Sequence, residues 1–153
     1  MLKGFTGVVV CDGYSAYRKL DREDPDITFA GCWTHARRYF SDALKALPKA
    51  AQKTAKDTVA YEAVKRIGAI YHLDNQLAAL EPDDRKKQRQ ITVKPLVEAF
   101  FAWVKEIQSS NRLPKGKTLE GINYCINQEE ALKVFLNDGE VPLDNNVTEE
   151  ALR

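Results

Sequence analysis

The sequence predicts an α/β protein: a small layer of few parallel strands carrying a large all-helical insertion. Three observations lead there. Two short apolar runs, Gly7-Val-Val-Val-Cys11 and Ile27 to Cys32, suit strands buried on both faces of a sheet. Each is followed by a stretch that reads as helix, and the order strand, helix, strand, helix predicts a parallel pair with a right-handed crossover. From position 49 the texture changes to long runs with apolar residues three and four apart. The units expected are residues 1–48 for the α/β part, 49–137 for the helical insertion and 138–153 for a closing helix.

The first strand stops at Asp12-Gly13, a turn signal. Tyr14 to Leu20 reads as a short helix, and Asp21 to Asp26, with Pro25, as a polar loop. After the second strand, Thr34 to Leu47 is amphipathic, with Phe40, Leu44 and Leu47 on one face and Pro48 marking its end. Ala51 to Leu80 carries Val59, Ala63, Ile67, Ile70, Leu73 and Leu77 at helical spacing and breaks at Glu81-Pro82. Asp83 to Ser110 is a second long stretch, with Leu96, Phe100, Trp103 and Ile107 on one face. Pro95 predicts a kink or a split within it. Two long helices joined at a Pro-containing turn make a helical hairpin. Lys117 to Asn127 and Gln128 to Leu136 predict two shorter helices, Asp138-Gly139 a turn, Val141 to Asp144 an extended piece, and Asn146 to Arg153 a last helix. The chain opens almost at once on a strand and stops inside that helix, so a fragment of a longer protein is expected.

Composition narrows the function classes. The 153 residues suit one domain with an insertion. Lys and Arg number 23 against 22 Asp and Glu, a formal net charge of +1. Strong nucleic-acid binders are usually basic overall, so any DNA contact must come from local clusters. The cysteines, Cys11, Cys32 and Cys125, are odd in number and come with no secretory signal. That argues against a disulfide framework and for a reducing cytoplasm. No apolar run approaches the roughly 18 to 20 residues that span a bilayer.

Several residues could carry chemistry. Asp12 lies at the carboxyl end of the first strand, where parallel sheets gather catalytic groups; a plain Asp-Gly turn is the competing reading. The segment Leu143-Asp-Asn-Asn146-Val-Thr-Glu149-Glu-Ala-Leu-Arg153 is the densest polar cluster. Asn146 and Glu149 have the spacing of a capping box, and Arg153 could pair with Glu149 across one turn. Cys32-Trp-Thr-His35 has a metal-like gap, but a structural zinc site needs four ligands and no second pair has matching spacing. Cys125 is isolated and His72 lies within a helix. His35, followed by Arg37 and Arg38, could instead approach a phosphate. Arg85-Lys-Lys-Gln-Arg89 is a second basic run, read as a solvated helix face with unspecific phosphate contact as the alternative. No Gly-rich phosphate loop, Gly-x-Ser-x-Gly elbow or His-Glu-x-x-His is present.

Three motifs fall in one order: Val-Val-Val-Cys-Asp12-Gly-Tyr-x-x-Tyr17, then Ala-Gly-Cys32-Trp-Thr-His35-Ala-Arg-Arg-Tyr-Phe40, then Leu-Asp144-Asn-Asn146-Val-Thr-Glu149. In that order the chain resembles the insertion-sequence-66 family of bacterial transposases over nearly its whole length. The resemblance implies a DDE transposase with a ribonuclease H-like fold, here the C-terminal part of the catalytic core. It implies that Asp12 is the second Asp of the triad and Glu149 its Glu, the two catalytic and metal-binding acids. Asn145 and Asn146 match the doubled Asn before the Glu, Arg37 and Arg38 a basic pair, and Arg153 an Arg one turn on. His35, Arg37, Arg38, Asn145, Asn146 and Arg153 are the implied DNA contacts.

The same resemblance implies two Mg²⁺ (or Mn²⁺) ions about 4 Å apart, transposon-end and target DNA as partners, self-association, and a bacterial cytoplasm with nucleoid association. The chain departs from the pattern twice. It lacks the strand with the first Asp, so weak metal binding and no cleavage by the isolated chain are expected. It also has Glu150 where the pattern has Arg, which leaves Glu149 and Glu150 to be told apart. Two other readings stand beside this one: a non-catalytic remnant or helical interaction domain, and another ribonuclease H-like nuclease.

Overall fold

The computed structural model of the chain describes residues 7–11, 27–111 and 113–143. Two strands, β1 (Gly7–Cys11) and β2 (Ile27–Gly31), pair in parallel, with Gly7 opposite Ile27 and Cys11 opposite Gly31. Helix α1 (Trp33–Lys45) follows β2 directly. A four-residue helix α2 (Lys49–Gln52) and a 3-10 turn (Ala55–Asp57) lead into α3 (Val59–Asn75). Next come α4 (Pro82–Gln88), a π turn (Arg89–Val93) and α5 (Lys94–Gln108). Then α6 (Gly116–Asn127), α7 (Glu129–Lys133) and a 3-10 turn (Val134–Asn137) bring the chain to Leu143.

The expected α/β class, a partial ribonuclease H-like fold, is overturned by this arrangement. The described residues form a helical protein, and the strand pair is too narrow to stand as a layer of its own. The core is made between helices. Trp33, Phe40, Ile67, Ile70, Val97, Phe100, Phe101, Ile122 and Leu132 are all essentially excluded from solvent. Helix α1 lies against α3 and α6, and α5 against the same two, while α7 packs on β2. Two apolar runs with β-branched residues suggested a sheet. The area that excludes water comes instead from aromatic residues spaced for helices.

Trp33 is the hub of that core. Its ring centroid lies 5.7 Å from Phe100, 5.8 Å from Phe101 and 6.2 Å from Phe135, in tilted and edge-on contacts. Its buried indole N–H donates to the Leu132 carbonyl at 2.8 Å. A residue with one polar atom is thus buried without leaving that atom unpaired.

Local chemistry explains the helix boundaries. The run from Ala51 is broken because Thr58 caps α3, accepting from the Tyr61 N–H at 3.2 Å and donating to the Ala55 carbonyl at 2.6 Å. Helix α4 starts with Pro82 in its first turn, followed by Asp83 and Asp84, and closes with basic residues, as the helix dipole favours. The break expected at Pro95 takes a softer form. The proline nitrogen cannot donate and its ring would strike the carbonyl four residues back. The wider π turn just before it absorbs the misfit, and the helical path continues into α5.

Two glycines mark close approaches. A Cβ on Gly121 would stand 2.8 Å from the Tyr39 Cβ, so α6 can lie tight against α1 only without one. A Cβ on Gly139 would stand 1.8 Å from the Pro82 carbonyl oxygen, a backbone atom that cannot swing aside. Gly139→Ala is therefore expected to cost about 1–3 kcal/mol or more, read as a lower urea midpoint. Gly68, inside α3 with open space at its Cβ, should behave oppositely, and Gly68→Ala should add about 0.5–1 kcal/mol in the same assay.

An ion-pair cluster ties α5 to α7. Lys105 reaches Glu129 at 2.8 Å, and Lys133 reaches both Glu129 and Glu98. Partial burial pushes the Glu129 carboxyl up, but the hydrogen bonds and charges of Lys105 and Lys133 outweigh it and hold its pKa below the ordinary value. For Lys133, burial pulls down while Glu129 and Glu98 pull up more strongly, and its pKa is raised. A depressed carboxylate stabilises the fold above its unfolded pKa, about 4.3, and that contribution fades as pH falls through the folded value. A raised lysine stabilises below about 10.4 and fades at higher pH. Thermal melts of the wild type and Glu129→Gln should differ most across the neutral range and converge at both extremes.

Candidate active-site face at the strand ends

β1 and β2 run in parallel and end side by side, Cys11 against Gly31. The chain continues from Cys11 to Asp12 and from Gly31 through Cys32 into α1. At that junction the Trp33 N–H donates to the Leu143 carbonyl at 3.4 Å. Three stretches of backbone therefore meet at one place: the end of β1, the start of α1, and the last described residue before Asp144. Asp12, Asn145, Asn146, Glu149, Glu150 and Arg153, named from the sequence, lie outside the described residues.

The Cys-x-x-His stretch has a structural use. Cys32 and Trp33 are buried, with Trp33 at the centre of the core. His35 is half-buried against rings, its centroid 5.6 Å from Tyr39 and 5.2 Å from Tyr124. Thr34 shares a 2.9 Å hydroxyl contact with Tyr71, and the Arg37 guanidinium lies over the Tyr71 ring at 5.6 Å from its centroid. Cys125 is fully buried, and burial pushes its thiol far up, so it is neither nucleophile nor ready ligand. Among the described residues no group of three or more His, Cys, Asp or Glu could hold a metal ion.

His35, Arg38, Tyr39 and Asp42 fall at helical spacing on one face of α1. With Lys117 from the first turn of α6 they line an open depression of about 210 Å³. Arg38 is exposed, and Lys117 is exposed beside Glu120 at 3.9 Å. Of the basic residues on α1 chosen from the sequence, Arg38 is exposed, while His35 and Arg37 are half-buried against rings. Lys117, which sequence reasoning passed over, stands across the depression from Arg38. Nothing in the spacing of a single sequence links positions 38 and 117.

The two arginines of the second basic run behave differently from either reading offered for it. Arg85 and Arg89 are neither a solvated face nor a phosphate grip. Arg85 turns inward to the carbonyls of Leu77, Ala78, Leu80 and Gly139. Arg89 is only 2% exposed. Its Nε and Nη2 grip both carboxylate oxygens of Asp74, at 2.7 and 3.2 Å. Its Nη1 donates to the carbonyls of Phe135, Asp138 and Val141 at 2.8, 3.2 and 2.8 Å. Lys86 and Lys87 between them remain exposed. An i, i+4 arginine pair can face inward as readily as outward; here buried carbonyls draw Arg85 inward, and Asp74 with three further carbonyls draws Arg89.

The sequence as a whole now places the chain. It is a transposase-family protein: residues 1–153 match the profile described as Transposase IS66 family. The chain belongs to that family. It is 31% identical over 99% of its length to the uncharacterized protein y4qI of Sinorhizobium fredii, covering 28% of that protein. It is 32% identical over 99% of its length to the uncharacterized protein y4hP of the same organism, covering 29%. The chain thus spans under a third of the length of these curated relatives. No solved structure matches it. No helix among the described residues is long and apolar enough to cross a membrane.

Breaking one side of the Arg89–Asp74 pair strands the other as a buried charge. Arg89→Met or Asp74→Asn should each cost about 3–5 kcal/mol, measured by urea unfolding, and the double variant Asp74→Leu/Arg89→Met should recover much of that loss.

Proposed function

We propose that this chain forms part of the catalytic core of a DDE transposase, whose Asp12 and Glu149 hold divalent cations for cleavage and joining of DNA strands. The observation that carries the reading is the meeting of backbones at the strand ends. The residue before Asp12 and the carbonyl of Leu143, six residues before Glu149, both belong to the junction of β2 with α1. The chain thus continues toward Asp12 from Cys11 and toward Glu149 from Leu143, two residues held at one junction.

Paired carboxylates suit Mg²⁺ or Mn²⁺, hard cations that prefer oxygen donors. Two such ions would supply activation of the attacking oxygen and stabilisation of the leaving one. The chain's own residues supply positioning. Asp12, directly after β1, and Glu149, beyond the Leu143 anchor, are the cation-holding acids. Arg38 and Lys117 meet the phosphate backbone, with His35, Tyr39 and Tyr124 as the apolar wall beside them. Asn145, Asn146 and Arg153 are further DNA contacts on the same segment as Glu149. Transposon-end and target DNA are the partners, with a second copy of the transposase to hold paired ends, in a bacterial cytoplasm.

In the full-length protein that contains this segment, Asp12→Ala and Glu149→Ala should each abolish Mg²⁺-dependent cleavage of a transposon-end duplex, and Glu150→Ala should retain it. Retained cleavage in the Asp12 or Glu149 variant would refute the assignment of those acids. In the same protein, Arg38→Ala and Lys117→Ala should weaken binding of any duplex alike and lower the salt slope by about one each, followed by fluorescence anisotropy.

A further inference from the structure

The depression between α1 and α6 holds three kinds of chemistry side by side. Arg38 and Lys117 supply exposed cations. His35 and Tyr39 supply rings, and with Tyr124 they form a half-buried cluster whose Tyr39 and Tyr124 centroids lie 5.3 Å apart. Asp42 supplies a half-buried carboxylate, a group that accepts hydrogen bonds and gives none. A plain phosphate grip accounts for the cations alone. Rings add nothing to it, and a carboxylate in the same depression repels the phosphate charge. Nor does Asp42 serve to neutralise Arg38, one helical turn away: the ion pairs among the described residues include neither. The three kinds do match the three parts of one nucleotide: phosphate for the cations, base face for the rings, base edge for the carboxylate. Size agrees. The depression measures about 210 Å³ and is open, short of the roughly 300–1,000 Å³ that encloses a whole small ligand, so it suits one unit of a longer strand.

We infer that this depression is a subsite for one unpaired nucleotide of a DNA strand, with a preference for a base that carries an amino group on its edge, such as cytosine, over thymine. The inference rests on Arg38 and Lys117 being phosphate contacts, as proposed above, and on no other part of that reading. In a duplex the faces of a base are covered by its neighbours in the stack, so contact with the rings requires a base that is out of it. Such a base lies against Tyr39 and His35. Asp42 accepts from the cytosine amino group, whereas thymine sets a carbonyl oxygen at that place and two acceptors would face each other. Arg38 and Lys117 hold the adjoining phosphates. Paired DNA meets the two cations and leaves the rings and the carboxylate unused.

The test uses the chain itself with three fluorescein-labelled probes of equal length: oligodeoxycytidine, oligodeoxythymidine and a mixed-sequence duplex. Binding is followed by anisotropy at low salt and slightly alkaline pH, and each variant is checked for its fold by circular dichroism. Wild type should hold the cytosine strand about fivefold or more tighter than the thymine strand, a readout that needs no variant. Asp42→Asn, which adds a donor beside the acceptor, should bring the two strands to near-equal affinity. Tyr39→Leu, which keeps apolar bulk but loses the ring, should weaken both single strands by about fivefold or more and leave the duplex unchanged, while Tyr39→Phe should bind as wild type does. Arg38→Ala and Lys117→Ala should weaken all three probes. If wild type does not distinguish the two strands, or if folded Tyr39→Leu or Asp42→Asn behaves as wild type, the base subsite is overturned and the phosphate contacts stand. If no probe binds, or if Arg38→Ala and Lys117→Ala change nothing, the phosphate contacts are misassigned and the inference falls with them.

Discussion

One buried guanidinium organises much of this molecule. Arg89 is where α3, through Asp74, meets the segment after α7, through three carbonyl oxygens. Its ring neighbour Phe135, 5.0 Å below the guanidinium, also belongs to the aromatic cluster around Trp33. Charge and apolar core are therefore joined at one residue. Carbonyls that would lie buried without donors are satisfied from a side chain rather than from a strand or helix ladder. An irregular segment can then stay inside the protein, which loops ordinarily do not.

Much of this was readable in the chain, for physical reasons that differ by element. Helices α1, α3, α5 and α6 announce themselves through apolar residues at three- and four-residue spacing, and their cores contain the expected Phe40, Ile67, Ile70 and Phe100. The predicted stripe on α5 was off by a fraction of a turn. Val97, Phe101 and Val104 are buried, while Trp103 and Ile107 sit at the edge. The fold class misled because a β-branched run says only that a strand is buried, not what buries it. Here a helix, α7, packs on β2, and the sheet stays at two strands among the described residues.

The candidate site was legible where chemistry follows local order and obscure where it depends on distant pairing. The order of three motifs suffices to bring out the family, and the full-length family match agrees with it. The inward turn of Arg85 and Arg89 was hidden, because a charge run looks the same in sequence whether water or Asp74 faces it. Lys117 was hidden for the same reason: its neighbour across the depression, Arg38, is seventy-nine positions away in the chain (117 less 38). Near-neutral net charge still constrains this chain, since an anionic partner would have to be met through such small groupings rather than through a broad positive field.

The π turn between Gln88 and Lys94 works as a phase shifter. One residue in an α-helix is worth about 100° of rotation, so the wide turn sets the azimuth of α5 against that of α4. With the turn in place, Arg89 looks toward Asp74 while Phe100 and Phe101 look toward Trp33. Without the extra residue, one of those two faces would be rotated away from its partner by about 100°. The surplus residue beside Pro95 is thus the gear that lets a single continuous rod serve a polar partner at one end and an aromatic one at the other.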